Sequence, residues 1–120
     1  MTLLTLFGLN QCSTCVKARR WLDDHNIPFA FIDYRDQPVA PTLLRQWAEQ
    51  LGGWEKLVNR ASMTWRNLDE SRKTPASDDE WVQLIGEYPA LVRRPVAVSE
   101  DGEISVGFSE KRYLARFAGA

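Results

Sequence analysis

The N-terminal part of the chain constrains the fold most, because it runs through a strand pattern, a helix pattern and a second strand pattern. "LLTLFGL" (3–9) is a short apolar run that predicts a buried strand. The next segment places Trp21 and Leu22 on one helical face, and Pro28 prevents the helix from continuing. "FAFID" (29–33) predicts the second strand. A strand, helix, strand unit of about thirty residues implies two parallel strands in one sheet.

The turn between the first strand and the helix carries the only two cysteines, Cys12 and Cys15, spaced C-x-x-C. The thiolate is the reactive form of cysteine, and unsatisfied backbone N–H groups at a helix N-terminus lower the thiol pKa. We expect Ser13 or Thr14 to cap the helix. Cys12 then lies just before the helix and Cys15 about one turn inside it. This geometry predicts that Cys12 attacks a disulfide and that Cys15 resolves the resulting mixed disulfide.

Two other roles for the cysteine pair remain open. A zinc site needs four ligands, and the single histidine, His25, lies about ten residues further along the helix, too far to join the pair. We therefore expect no metal site within one chain. The pair can also be two inert core thiols, since free cysteines are often buried. The polar neighbours Asn10 and Ser13 favour the reactive role instead.

The middle of the chain, residues 39–88, predicts a helical insert. A first helix ends at Gly52, a residue type that commonly follows the last helical turn. "WEKLVNRASMTWRNLDE" (54–70) indicates short helices and turns. Ser77 and Glu80 have the spacing of a capping box at the start of a further helix.

The C-terminal segment returns to strands. "RPVAVS" (94–99) and "EISVGF" (103–108) flank a turn and predict an antiparallel hairpin. Ser109 can cap a last helix, whose inward side chains we expect to be Tyr113, Leu114 and Phe117.

The complete order is βαβ, helical insert, ββα, which is the order of a thioredoxin-like α/β fold with C-x-x-C after its first strand. With 120 residues and 44% hydrophobic content, the chain suits one compact domain. We expect a single domain over residues 1–120, in which 1–38 and 89–120 form the thioredoxin-like core and 39–88 form the insert.

Charge and hydropathy exclude several function classes. The formal net charge is −1, so we expect no direct binding to nucleic acid, which needs a basic excess. No apolar run approaches the ~18 residues of a membrane span, and the N-terminus does not resemble a secretory signal. We therefore expect a cytoplasmic protein without a membrane partner. In the cytosol thiols are kept reduced, which favours reactive cysteines over a structural disulfide.

Several stretches together resemble the arsenate reductase (ArsC) and Spx family. "CSTCVKARRWLDDHNIPF" is similar to the opening segment of these proteins, and "PALVRRPVAV" and "VGFSEKRY" are similar to their closing hairpin. "WEKLVNRASMTWRNLDE" resembles the YffB-type, ArsC-like reductase branch most closely. The resemblance covers nearly the whole chain and implies a thioredoxin-like domain with a helical insert.

The same resemblance implies roles for individual residues. Cys12 matches the catalytic cysteine at the end of the first strand. Arg60 and Arg94 match arginines that surround that sulfur in the arsenate reductases and bind the oxyanion. Pro95 resembles the cis-proline beside the active cysteine of thioredoxin-like folds, whose backbone pairs with a peptide-like substrate such as glutathione. Two positions depart from the arsenate reductase pattern: Gly8 replaces a histidine and Gly107 replaces a third arginine.

The sequence thus predicts an enzyme with Cys12 as its nucleophile, a thiol–disulfide oxidoreductase linked to glutathione. Cys15 or glutathione is the resolving thiol, Arg60 and Arg94 hold an anionic group, and no cofactor is bound. The first alternative is an Spx-like regulator that senses oxidation through Cys12 and Cys15 and binds the C-terminal domain of the RNA polymerase α subunit. The second is an arsenate reductase, and the third is a fold whose cysteines are inert.

Overall fold

The computed structural model describes residues 4–118, and these residues form two compact units. The first unit contains the chain up to Tyr34 together with the chain from Arg94 onward, and the second is Arg35–Arg93. The second unit extends beyond the predicted insert, 39–88, at both ends. The single-domain organisation stays a prediction.

A four-stranded sheet organises the first unit. Its strands are β1 (Leu4–Gly8), β2 (Phe29–Asp33), β3 (Val96–Val98) and β4 (Ile104–Val106), in the order β2-β1-β3-β4. β1 is parallel to β2, as expected, and antiparallel to β3. β3 and β4 form the expected hairpin but are shorter than 94–99 and 103–108, so Arg94 and Pro95 precede the strand. The fold class is the predicted thioredoxin-like α/β arrangement.

Helix α1 (Ser13–Asp24) connects β1 to β2 and packs through its apolar side chains. The expected cap at Ser13 or Thr14 is wrong, because the helix begins earlier and Cys12 occupies the N-cap position with extended backbone angles. The sheet and the helix share one core cluster, which contains Leu4, Leu6, Ala18, Trp21, Leu22, Ala97 and Tyr113. Burial of these side chains holds α1 against the sheet.

The chain ends in α6 (Glu110–Tyr113), followed by a π-helical turn over Leu114–Ala118. Ser109 caps α6 as predicted, since its Oγ accepts a hydrogen bond from the Arg112 N–H. Tyr113 is buried among aromatic rings, in edge-to-face contact with Trp21, Phe108 and Phe117. The expected inward position of Leu114 is wrong: its side chain is 51% exposed. Tyr113 already points inward, and adjacent helical residues do not share a face.

The second unit is helical, with α2 (Pro41–Leu51), α3 (Trp54–Leu57), α4 (Met63–Arg66) and α5 (Asp78–Glu87). Two 3₁₀ turns, Glu70–Arg72 and Pro89–Leu91, complete it. Ser77 caps α5, and the Glu80 carboxylate accepts hydrogen bonds from the Ala76 N–H and from the Ser77 hydroxyl. The indole rings of Trp54 and Trp65 stack on Trp81. Their parallel packing joins α3, α4 and α5.

None of the helices within residues 4–118 is long and apolar enough to cross a membrane.

A pair of glycine substitutions tests the end of α2. Gly52 follows the helix with a φ of 94°, in the left-handed region that strains other residues. Gly52→Ala is therefore expected to lower the free energy of unfolding by about 1 kcal/mol. Gly86→Ala, within α5 and facing open space, is the matched control and is expected to raise it by up to about 1 kcal/mol. Urea unfolding measures both, and a gain in stability for Gly52→Ala contradicts the assignment.

Candidate active site around Cys12

Cys12 lies where the sheet passes into α1, in a turn fixed from both sides. The Cys12 N–H donates to the Leu9 carbonyl at 3.2 Å, and the Cys12 carbonyl accepts the first helical hydrogen bond, from Val16, at 2.9 Å. The Asn10 N–H donates to the Asp33 carboxylate at 2.9 Å. The Arg19 guanidinium donates to the Asn10 carbonyl at 3.1 Å. These bonds hold the partly exposed Cys12 sulfur at the helix start.

The thiol of Cys12 has a pKa below its ordinary value of 9.0. Burial raises the pKa of Cys12. Hydrogen bonds from the Cys15 N–H, the Arg94 guanidinium, the Cys15 thiol and the Thr14 N–H together lower the pKa by more than burial raises it. The N–H groups of Thr14 and Cys15 belong to the first helical turn, whose donors stabilise a negative charge once the sulfur has lost its proton. The Cys12 side chain does not make the hydrogen bond of a conventional helix cap.

Arg94, a residue that the resemblance to the family pointed to, is the cationic group at this sulfur. Its guanidinium hydrogen-bonds Cys12 and also the hydroxyl of Tyr34. Tyr34 is 1% exposed, and burial raises the pKa of its hydroxyl to about 12, so the hydroxyl stays protonated. Tyr34 therefore holds the guanidinium by a hydrogen bond and, because its hydroxyl is neutral, does not offset the positive charge of Arg94.

Tyr34 is a site residue that sequence reasoning missed. It directly follows β2, and its N–H donates to the Gly8 carbonyl at the end of β1, at 3.0 Å. The ends of two adjacent parallel strands lie at one edge of a sheet, so the residues after β1 and β2 are neighbours. The sequence signal that could have identified Tyr34 is its place directly after the predicted "FAFID" strand.

Cys15 differs from Cys12 in every respect that controls reactivity. Its side chain is fully buried, and burial is the main reason that its pKa is raised, to about 11. The Leu9 N–H lowers the pKa, while the charge and the hydrogen bond of Cys12 raise it. Both cysteines are free, and at neutral pH Cys15 is a thiol that donates a hydrogen bond to the Cys12 sulfur.

The remaining predicted residues occupy different places. Pro95 is fully buried directly after Arg94, the Arg94–Pro95 bond is cis as predicted, and the Pro95 carbonyl accepts a hydrogen bond from Gly107 at 2.9 Å. Arg60 is exposed and belongs to the second unit, in a turn where the Asn59 side chain accepts from the Ala61 N–H. The substrate-binding roles of Arg60, Arg94 and Pro95 stay predictions.

The arsenate reductase pattern places its third arginine at the position of Gly107. Here the backbone at Gly107 has a φ of 78°. A side chain there is strained, and its Cβ would lie 3.3 Å from the Arg112 guanidinium. An arginine at this position would therefore be strained in this backbone conformation.

Within residues 4–118 no group of three or more His, Cys, Asp and Glu side chains is arranged to hold a metal ion. The site brings together the Cys12 thiol, the Arg94 cation that favours its ionisation, and the protonated thiol of Cys15 beside it. Sheet order and the helix-start cysteine define the chain as a thioredoxin-like protein of α/β class.

Comparison with known proteins identifies the family. The model of the ArsC family matches residues 7–116, and the chain belongs to this family. An uncharacterized protein of Haemophilus influenzae is 41% identical over 116 residues, which cover 97% of this chain and all of that protein. The solved structure of the YFFB protein is 35% identical with a TM-score of 0.83, over 93% of this chain and 96% of that one.

A regulator is also among the relatives. The global transcriptional regulator Spx of Bacillus subtilis is 29% identical over 118 residues, covering 95% of this chain and 88% of Spx. An uncharacterized protein and a transcriptional regulator are thus both similar to this chain along nearly their whole length.

Replacing Arg94 tests its part in activating Cys12. Arg94→Ala is expected to raise the pKa of Cys12, because the thiolate loses its cationic hydrogen-bond donor. Alkylation of Cys12 by iodoacetamide at neutral pH should slow about tenfold, the equivalent of one charge-assisted hydrogen bond of ~1.5 kcal/mol. Arg93→Ala removes an adjacent, exposed cation and is the matched control. Equal alkylation rates in both variants would show that Arg94 has no part in activation.

Proposed function

We propose that this chain is a thiol–disulfide oxidoreductase that uses the Cys12 thiolate as nucleophile and glutathione as its thiol partner. The supporting observation is the difference between two adjacent thiols. Arg94 and the first turn of α1 lower the pKa of Cys12, whereas burial keeps Cys15 protonated. A nucleophile whose ionisation is favoured, next to a second thiol that stays protonated, is the arrangement that disulfide exchange needs.

The first step is an attack by Cys12 on an oxidised substrate. The Cys12 thiolate forms a bond to one sulfur of the substrate disulfide, the substrate S–S bond breaks, and the other substrate sulfur leaves as a thiolate that takes a proton from water. The product is a mixed disulfide on Cys12. Its formation removes the negative charge of Cys12, and that charge is one of the causes that raise the pKa of Cys15.

The second step is resolution by Cys15 or by glutathione. Once the Cys12 charge is gone, Cys15 loses its proton more readily and its sulfur attacks Cys12, releasing the remaining substrate thiol. Two glutathione molecules then reduce the Cys12–Cys15 disulfide and leave as glutathione disulfide. Glutathione can also attack the mixed disulfide directly. Glutathione is abundant in the cytosol, which is where we place this reaction.

The anionic groups of the substrate are assigned to arginines in this proposal. Arg94 supports the role because its guanidinium already binds the Cys12 sulfur. Arg60 and the backbone at Pro95 enter through the resemblance to the family. Arginine suits this task because its planar fork binds a carboxylate through two hydrogen bonds.

Variants of the two cysteines test the proposal with a glutathionylated peptide as substrate. Cys12→Ser is expected to abolish release of the peptide thiol. Cys15→Ala is expected to retain the first step and to accumulate a Cys12–glutathione mixed disulfide when glutathione is limiting. Mass spectrometry identifies this adduct, and excess glutathione should restore turnover. Turnover by Cys12→Ser at the rate of the unaltered protein would refute the proposal.

The similarity to Spx and the second cysteine support a different role, that of a redox-sensing regulator. In this alternative the Cys12–Cys15 disulfide changes the affinity of the chain for the C-terminal domain of the RNA polymerase α subunit. Titration of that domain with the reduced and the oxidised protein tests it. The alternative predicts binding in at least one state, with Cys15→Ala insensitive to oxidant. Absence of binding in both states would exclude it.

Arsenate reduction is the weakest of the three functions for this site. One guanidinium of the arsenate reductase set is missing at Gly107, and each charge-assisted hydrogen bond to an oxyanion contributes roughly 1.5–3 kcal/mol. The protonated Cys15 thiol beside Cys12 can serve as the resolving thiol in disulfide exchange, a role that a mechanism with one cysteine does not have.

A further inference from the structure

The buried side of the cysteine pair packs against the backbone of β1 at Gly8. A Cβ on Gly8 would lie 2.5 Å from the Cys15 Sγ, far inside van der Waals contact. The same Cβ would lie 3.6 Å from the Cys15 Cβ and 3.4 Å from a ring carbon of Phe31, which are tolerable contacts. The sulfur of Cys15 therefore occupies the space that a side chain at position 8 would fill.

The backbone gives no reason for glycine at this position. Gly8 is the last residue of β1 and pairs with Asp33, and it does not belong to the glycines with positive φ. Other residues of β1 adopt the same strand conformation with full side chains. The constraint at Gly8 thus comes from the Cys15 side chain.

Neither β1 nor α1 can move to accommodate a larger residue at position 8 without losing hydrogen bonds or core packing. β1 lies between β2 and β3, and the Gly8 carbonyl accepts a hydrogen bond from Tyr34. Cys15 belongs to α1, whose neighbouring residues Ala18 and Leu22 are fully buried in the core. A side chain at position 8 would therefore displace the Cys15 sulfur from its place beside Cys12 more readily than it would separate the two elements.

We propose that Gly8 is a positioning residue that makes Cys15 the resolving thiol. The inference rests on the proposed disulfide exchange and adds what selects its second step. With glycine at position 8, the Cys15 sulfur attacks Cys12, the bond between Cys12 and the substrate sulfur breaks, and the substrate leaves as a thiolate. With a side chain at position 8, the mixed disulfide on Cys12 persists until an external thiol reduces it.

The aromatic disulfide dithiobis(nitrobenzoate) separates the two steps, because each step releases one coloured nitrothiobenzoate. The unaltered protein is expected to release two equivalents and to end as the Cys12–Cys15 disulfide. Gly8→Ala is expected to release the first equivalent normally and the second at least about tenfold more slowly, with the adduct retained on Cys12 in the mass spectrum. Gly86→Ala, which faces open space, should behave as the unaltered protein.

Equilibration with dithiothreitol measures ring closure without depending on the reactivity of Cys12. Gly8→Ala is expected to lower the equilibrium constant for the Cys12–Cys15 disulfide about tenfold, which raises its reduction potential by ~30 mV. An unchanged potential overturns the inference even if Cys12 is a poor nucleophile. A slow first release at neutral pH in the unaltered protein instead contradicts the proposed function.

A double variant separates positioning from loss of folding. In Gly8→Ala with Cys15→Ala the atom at 2.5 Å is gone, so the double variant is expected to fold with the stability of Cys15→Ala alone. If Gly8→Ala unfolds and the double variant folds, the contact between position 8 and the Cys15 sulfur is established. If the double variant is as unstable as Gly8→Ala, the sulfur is not the obstacle and the inference is wrong.

Discussion

The stabilisation of negative charge on the Cys12 sulfur is the interaction on which the site depends. Cys12 occupies the N-cap of α1, so the first-turn N–H groups of Thr14 and Cys15 face its sulfur. A helix N-terminus alone stabilises a negative charge only modestly. Here the Arg94 guanidinium, held by the protonated Tyr34 hydroxyl, adds a full positive charge. Sheet topology brings these groups together, since β1, β2 and β3 are neighbours.

The two cysteines have opposite properties although only two residues separate them. Partial exposure and hydrogen-bond donors make Cys12 acidic, and complete burial makes Cys15 a weak acid. The two titrations are linked, because a charge on either sulfur opposes a charge on the other. Linkage also couples Cys12 to folding: its pKa is lowered in the folded state, so its contribution to stability is lost as the pH falls through that lowered pKa.

Local sequence patterns predicted most of the fold. The strand at "LLTLFGL", the helix after Cys12 and the C-terminal hairpin follow from hydrophobic periodicity and turn residues. The order of these elements was sufficient to infer a thioredoxin-like sheet. The orientation of Leu114 was wrong, because Leu114 is adjacent to Tyr113 in the helix and only Tyr113 faces inward.

Contacts between residues distant in sequence were harder to predict. Arg94 was found only through the resemblance to the family, and Tyr34 was missed because its link to Cys12 runs through that arginine. Gly8 was read as a missing histidine, whereas its structural importance is the space it leaves for Cys15. Such relations depend on which atoms meet across the core, and a pattern along the chain does not contain them.

The most direct measurement is an NMR titration of the reduced protein with carbon-13 at the Cβ atoms of its cysteines. Each Cβ shift reports the ionisation of its own sulfur, with no reagent and no substitution. We expect Cys12 to ionise below its ordinary pKa of 9.0 and Cys15 to remain a thiol until the pH approaches about 11. Ionisation of Cys15 before Cys12, or of both thiols together near pH 9.0, would contradict the assignment of nucleophile and resolving thiol.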